Sequence, residues 1–155
     1  MVWNEHIKQV VACDDDSYMI FDDNNDTPIL LRRVTGAHRE DICIVKYSFH
    51  LSLVATGCVN GEIAIWDYES SQLQTFLFCH TNTITCLEFL TPRPLLISCG
   101  IDARVCIWTV RPAFYKQRYI CIYQFIHKTM HTDATDERTA IHSCVIVKPG
   151  NRVAQ

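Results

Sequence analysis

The chain contains an internal repeat, which restricts the possible folds more than any other feature of the sequence. Residues 36–67 match residues 78–109 without a gap, so that His38 aligns with His80, 42 residues further on. Repeats of this length are typical of proteins built from stacked copies of one supersecondary unit, because a single unit cannot bury its apolar face alone. The fold must therefore bury its core between neighbouring copies.

Each copy of the repeat predicts a succession of short β-strands. In the first copy the β-branched and apolar segments are Ile42–Tyr47, Leu53–Thr56 and Glu62–Trp66, followed by Leu73–Phe78. The dipeptide Asn60-Gly61 between two of these segments is a strong signal for a β-hairpin turn. Four short strands at a period near 40 residues are typical of one blade of a β-propeller.

The residues at the ends of each copy resemble those of WD40 repeats. The matching segments are Gly36-Ala37-His38 with Trp66-Asp67, and Cys79-His80 with Trp108. Two end positions depart from the family pattern, since Cys79 stands in place of Gly and Thr109 in place of the Asp after Trp.

The resemblance implies a hydrogen-bonded tetrad of His, Ser or Thr, Asp and Trp inside each blade. In the first copy Asn60 stands where the family prefers Asp, and an Asn accepts from the histidine without the strength of a charge-assisted bond. The implied structural tetrads are His38, Thr56, Asn60 and Trp66 in the first copy, and His80, Ser98, Asp102 and Trp108 in the second.

The predicted fold class is all-β, a WD40-type propeller segment of four-stranded antiparallel blades that covers residues 1–147. The first 35 residues fit only part of a blade, because Phe21 replaces the Trp and Val2-Trp3 is a short remnant of an inner strand. The predicted parts are a partial blade (1–35), two complete blades (36–78 and 79–126, with an outer strand at Tyr119–Phe125), a loop (127–139), an inner strand (140–147) and a tail (148–155).

The length of 155 residues gives fewer than four blades at a period of 42. Known propellers close with about four to eight blades. An open stack leaves strand edges and blade faces bare. We therefore expect the propeller to be incomplete in this chain, and to be completed by further blades of a longer protein, by another copy or by a partner.

Composition excludes several classes of function. The formal net charge of −3 gives no basic excess for binding nucleic acid. No apolar run approaches the roughly 20 residues that a membrane-spanning helix needs, and the N-terminal sequence does not resemble a signal peptide. The expected location is cytoplasmic.

The nine cysteines and seven histidines do not form a recognisable catalytic or metal-binding motif. The sequence has no Cys-x-x-Cys pair, so we expect most cysteines to be small buried residues and predict no metal and no cofactor. The acidic runs Asp14–Asp16 and Asp22–Asp26 lack the Gly and Glu of a calcium loop and predict turns. His127 and His131 are expected to be solvated. An enzyme that uses Cys or His stays as a residual alternative.

The leading functional prediction is a non-catalytic scaffold that binds other proteins within a larger complex. The repeats resemble those of large ciliary WD-repeat proteins, which suggests a cilium or the cytoskeleton as the location. An alternative is a substrate receptor of a cullin-type ubiquitin ligase, because Trp108-Thr109-Val110-Arg111 resembles the Trp-Asp-x-Arg ending of those proteins. Val59 and Ile101 are expected either to form a partner patch or to pack between blades. The candidate partner-binding residues are Arg39, Glu40, Val59, Thr81, Asn82, Ile101 and Arg111.

Overall fold

A computed structural model describes residues 1–4, 8–24, 27–36, 38–90 and 93–110, together with the backbone of 120–126. Within these ranges the chain forms twelve β-strands and no helix. The strands make three antiparallel sheets of four strands each, which confirms the predicted all-β fold. The predicted loop 127–139, inner strand 140–147 and tail 148–155 lie outside the described residues.

Each sheet is a meander in which strands that are consecutive in sequence are neighbours in space. The first sheet consists of β1 (Val2–Asn4), β2 (Gln9–Cys13), β3 (Ser17–Asp22) and β4 (Ile29–Thr35). The second consists of β5 (Ile42–Ser48), β6 (Leu53–Cys58), β7 (Glu62–Asp67) and β8 (Leu73–Phe78). The third consists of β9 (Ile84–Leu90), β10 (Leu95–Gly100), β11 (Arg104–Thr109) and β12 (Ile120–Ile126). We call these sheets the first, second and third blade.

The first blade has four strands, and the segment Val2-Trp3, predicted as a remnant of an inner strand, lies in the innermost strand β1. Its innermost strand, β1, has only three residues, in which Val2 pairs with Val11 and Asn4 with Gln9. The innermost strands of the other two blades have seven residues each. A strand of three residues carries little alternation, so the sequence indicated only a remnant, and the pairing with β2 defines the length of the strand.

The middle blade is buried on both faces because successive side chains of a strand point to opposite sides of the sheet. Val54 and Trp66 pack against the first blade, in a cluster with Tyr18. Leu53 and Ile65 pack against the third blade. All six residues of β6 are buried as a result. Complete burial of an aliphatic side chain contributes about 1.5–3 kcal/mol, so the two clusters hold the three blades together.

The second and third blades approach each other closely at Gly57 in β6. A Cβ atom at this position would lie 2.9 Å from the side chains of both Ile44 and Ile84. Ile84 belongs to β9 of the next blade. Only glycine therefore permits this spacing between the blades.

Nothing in the described ranges is a helix long and apolar enough to cross a membrane.

Candidate protein-interaction site

The third blade contains a chain of four hydrogen-bonded side chains. His80 Nδ1 lies 3.0 Å from Asp102 Oδ1, and His80 Nε2 lies 2.8 Å from Ser98 Oγ. Trp108 donates its indole N–H to the same Ser98 Oγ over 2.9 Å. A carboxylate only accepts, so Nδ1 carries a proton, and in the neutral imidazole the Ser98 hydroxyl donates to Nε2. The structure thus brings together all four residues that the family resemblance implied.

Asp102 also fixes the loops at this end of the blade. Its carboxylate accepts the backbone N–H of Thr81 at 2.9 Å and that of Arg104 at 3.2 Å. The space beside it is filled, because a Cβ atom at Gly100 would lie 2.8 Å from Asp102 Oδ1 and 2.9 Å from His80 Nδ1. The buried tetrad therefore determines the shape of the exposed loops above it.

The second blade forms a tetrad with a different acid. His38 Nε2 lies 2.6 Å from Thr56 Oγ1, which also accepts the indole N–H of Trp66 at 2.9 Å. The other ring nitrogen, His38 Nδ1, lies 3.0 Å from Glu62 Oε1. Asn60 is exposed, and its side-chain oxygen accepts the backbone N–H of Glu62 instead. The structure brings together His38, Thr56 and Trp66, with Glu62 in the role that the sequence had suggested for Asn60.

Glu62 replaces Asn60 as the partner of His38 because of the residue that lies two positions before Asn60 in the sequence. In the third blade Gly100 leaves room for the Asp102 carboxylate, and a side chain there would collide with it. In the second blade the aligned residue is Cys58, whose side chain is buried. The histidine is therefore reached from the strand, by Glu62 at the start of β7. Sequence reasoning missed Glu62, although the alignment of Glu62 with Arg104 already marks a reversal of charge.

Burial dominates the ionisation of the groups around His38. It lowers the pKa of His38 below its ordinary value of 6.5, and the neighbouring Glu62 carboxylate opposes this shift. Burial also raises the pKa of the Cys58 thiol to about 12, with a further contribution from Glu62. At neutral pH the imidazole is uncharged and the thiol is protonated. This arrangement suits a structural core rather than a nucleophilic pair.

The loops of the second and third blades meet at one end of the sheets through hydrogen bonds. The N–H of Val59 donates to Asp41 O at 3.0 Å, and Thr83 Oγ1 donates to Val59 O at 3.1 Å. The N–H of Ile101 then donates to Thr83 O at 3.0 Å. Gly61, at a φ of +88°, lies against the His80 carbonyl, where a Cβ atom would be 2.8 Å away. We call this end of the blades the loop face.

The loop face carries the partner-binding residues that the sequence proposed, apart from Arg111. Ile101 is the largest apolar side chain among them and is 39% exposed. Val59 is half-buried. Arg111 lies outside the described residues. The exposed members are Arg39, Glu40, Thr81, Asn82 and Ile101. Their mixture of charge, amide, hydroxyl and apolar groups can recognise a partner surface.

The outer face of the first blade carries a second apolar feature. A cavity of about 270 Å³ is lined by Met1, Val10, Ala12, Phe21 and Pro28. Val10 pairs with Phe21 across β2 and β3, as Val54 pairs with Trp66 in the second blade. The Val54–Trp66 pair is buried by the blade that precedes it. The Val10–Phe21 pair is therefore the equivalent surface of the first blade.

These features define a class of protein: a β-propeller segment built from four-stranded blades, two of which are braced by a buried histidine tetrad. The family model described as "WD domain, G-beta repeat" matches residues 30–67 and 70–109, which together make up half of the chain. The chain belongs to the WD40-repeat family. The matched repeats begin in β4 and near β8, so each sequence repeat starts in the outer strand of one blade and continues into the next.

Relatives and solved structures agree with this assignment. The chain is 37% identical over 75 residues to nuclear distribution protein PAC1-1 of Uncinocarpus reesii, covering 47% of this chain and 17% of that protein. It is 34% identical over 73 residues to cilia- and flagella-associated protein 337 B of Tetrahymena thermophila, covering 47% of this chain and 6% of that protein. The matches thus span less than a fifth of these relatives.

The solved structure of the RRP9 WD40 repeats superposes with a TM-score of 0.68 at 18% identity, covering 81% of this chain and 37% of that chain. This likeness concerns the fold. Together with the three described blades, it identifies the chain as a partial propeller.

Proposed function

We propose that this chain acts as a non-catalytic scaffold whose loop face binds another protein within a larger assembly. The observation that carries the proposal is the coupling of the buried tetrads to the exposed loops. Asp102 holds the backbone of Thr81, and the turn at Gly61 packs against His80. Loops that are held in this way lose little conformational entropy when they bind a partner.

The test compares two surfaces of the same chain. The chain is isolated with its native assembly from cells, either unchanged, with Arg39→Ala and Ile101→Ser on the loop face, or with a matched control. The control combines Glu69→Ala and Gln72→Ala in the β7–β8 turn, both of which are exposed. Loss of the same co-purifying proteins in the loop-face variant alone supports the scaffold. Equal recovery from both variants contradicts it.

We also propose that a further blade packs against the first blade and extends the propeller. The Val10–Phe21 pair occupies the position that a preceding blade covers in the second blade. We expect a further blade of the assembly to cover it. The variant Phe21→Ser tests this, because it would leave the melting temperature of the isolated chain nearly unchanged while releasing the chain from its assembly. Retention of Phe21→Ser in the assembly contradicts the expected contact.

The relative from Tetrahymena favours a cytoplasmic, cytoskeletal location that includes the cilium. Imaging of the tagged chain in ciliated cells tests this, and exclusion from cilia contradicts it. The role as a receptor in a ubiquitin ligase stays a prediction. It requires that Arg111→Ala abolish co-purification of a cullin adaptor without affecting folding.

A further inference from the structure

A cluster of three different metal-binding groups surrounds the tetrad of the second blade. A ring nitrogen of His38, the Sγ of Cys58 and a carboxylate oxygen of Glu62 all lie within 4.8 Å of one another. Cys58 is completely buried, while the side chains of His38 and Glu62 are 2% and 16% exposed. Nitrogen, sulfur and oxygen donors of this kind are the usual ligands of zinc.

The distance between His38 and Glu62 needs little adjustment to accept an ion, while Cys58 Sγ, within 4.8 Å of both ligand atoms, can approach the ion by a movement of its side chain. His38 Nδ1 and Glu62 Oε1 are 3.0 Å apart and share one proton. Two ligand atoms that bind zinc at about 2.0–2.1 Å with tetrahedral angles are about 3.3 Å apart. A cation can therefore replace the proton between these atoms with a small movement. His38 Nε2 remains held by Thr56, because it then donates to the hydroxyl oxygen, which also accepts the indole N–H of Trp66.

The charges around Cys58 favour a cation. The Cys58 thiol donates to the backbone oxygen of Glu40 at 3.6 Å, and a carboxylate oxygen of Glu62 lies within 4.8 Å of its sulfur, so oxygen atoms of negative charge or partial charge surround the thiol. A divalent ion would balance the two negative charges of the Cys58 thiolate and the Glu62 carboxylate. Charges that are removed from water are tolerated in this way, when they are paired or bind metal.

In the third blade an arginine side chain lies beside the acid of the tetrad. There Arg104 Nε lies 3.6 Å from Asp102 Oδ2, so a guanidinium cation stands beside the carboxylate that accepts from His80. The second blade has Glu62 in the place of Arg104, and Cys58 in the place of Gly100. It has thus gained a carboxylate and a thiol where the third blade carries a cation and no side chain.

We propose that His38, Cys58 and Glu62 form a binding site for a divalent cation of the zinc class, with water from the side of Glu62 as the fourth ligand. Binding breaks the S–H bond of Cys58 and releases its proton to solvent. The imidazole stays neutral and moves its proton from Nδ1 to Nε2. No electron is transferred.

The test is a titration of the full, reduced chain with Co²⁺, followed by displacement with Zn²⁺. One Co²⁺ per chain should produce thiolate-to-cobalt charge transfer and the intense visible absorption of a tetrahedral site. Cys58→Ser keeps the volume of the side chain and should abolish the charge transfer and weaken Zn²⁺ binding by more than about 100-fold, beyond the loss typical of an outer-shell change. Glu62→Gln should weaken Zn²⁺ binding by at least about 10-fold, because an amide is a poor zinc ligand.

The matched control is Cys43→Ala, which removes an exposed thiol of the same blade and should leave the spectrum unchanged. Circular dichroism checks the folding of each variant, and Glu62→Gln decides the matter if Cys58→Ser does not fold. The proposal is overturned if the unchanged chain shows no charge transfer. It is equally overturned if Cys58→Ser or Glu62→Gln binds as the unchanged chain does, or if Cys43→Ala removes the signal.

Discussion

Lys46 and Glu88 occupy the same position in successive repeats and form an ion pair of 2.9 Å between two blades. Lys46 lies in β5 and Glu88 in β9, the innermost strands of the second and third blades. The pair therefore joins neighbouring blades on the side of the propeller axis. The same position of the repeat thus carries a positive charge in the second blade and a negative charge in the third, and the two side chains meet across the interface.

Reversal of one charge in this pair should weaken the chain slightly. Both side chains are about one-third exposed, so Lys46→Glu should lower the free energy of unfolding by roughly 0.2–1 kcal/mol at low salt. The double variant Lys46→Glu with Glu88→Lys should restore it. Urea unfolding at low and high salt measures the effect, which screening should diminish. A double variant no more stable than the single one would mean that the two charges do not interact.

Removal of the imidazole from the third blade should have a larger effect. His80→Ala removes the imidazole that bonds to both Asp102 and Ser98 in the buried tetrad, and should lower the free energy of unfolding by roughly 1–3 kcal/mol. Urea unfolding measures the change, and His50→Ala provides a control at an exposed histidine. A neutral result for His80→Ala would contradict a stabilising role of the tetrad.

The second blade allows a direct comparison of Glu62 with Asn60. Glu62→Ala removes the acceptor of the buried His38 N–H and should cost about 1–2 kcal/mol of stability. Asn60→Ala removes a bond to the backbone at an exposed turn and should cost only about 0.5–1 kcal/mol. Thermal unfolding of both variants in the presence of a chelator ranks them. The reverse order would return the role to Asn60.

Glycine should matter more in one hairpin turn than in its counterpart. Gly61 has a φ of +88°, and a Cβ atom there would lie 2.8 Å from the backbone carbonyl of His80. Gly61→Ala should therefore destabilise the chain by at least about 1–2 kcal/mol. Ala103, the aligned residue, has a φ of +57°.

The matched variant is Ala103→Gly. It relieves the strain of a positive φ in the folded chain, but it also raises the conformational entropy of the unfolded chain. Its effect should stay below about 1 kcal/mol. Differential scanning calorimetry of both variants measures the contrast. Equal effects of the two changes would show that the close approach at Gly61 has no energetic consequence.

The depressed pKa of His38 makes the stability of the chain depend on pH. Burial disfavours the imidazolium in the folded state, so the unfolded chain binds more protons once the pH falls below the ordinary value of 6.5. The stability that His38 contributes is present above that pH and is lost as the pH falls towards the folded pKa. The difference in unfolding free energy between the native chain and His38→Gln should shrink from about pH 8 to about pH 5. A constant difference would contradict the shift.

The sequence by itself determined the class of fold, the strand pattern of the repeats and the tetrad residues of the third blade. These features follow from local alternation and from a spacing that both copies share, so they can be read without coordinates. The tertiary structure decided that Glu62 rather than Asn60 contacts His38. The choice depends on whether the residue before the turn, which is Cys58 in the second blade and Gly100 in the third, leaves room for a carboxylate beside the histidine. The tertiary structure also decided that the three residues of β1 complete a blade, since a strand this short is defined by its partner. The alternation of residues along a chain predicts its strands. Which of two side chains fills the space beside a buried residue depends on contacts that form only when the blades pack.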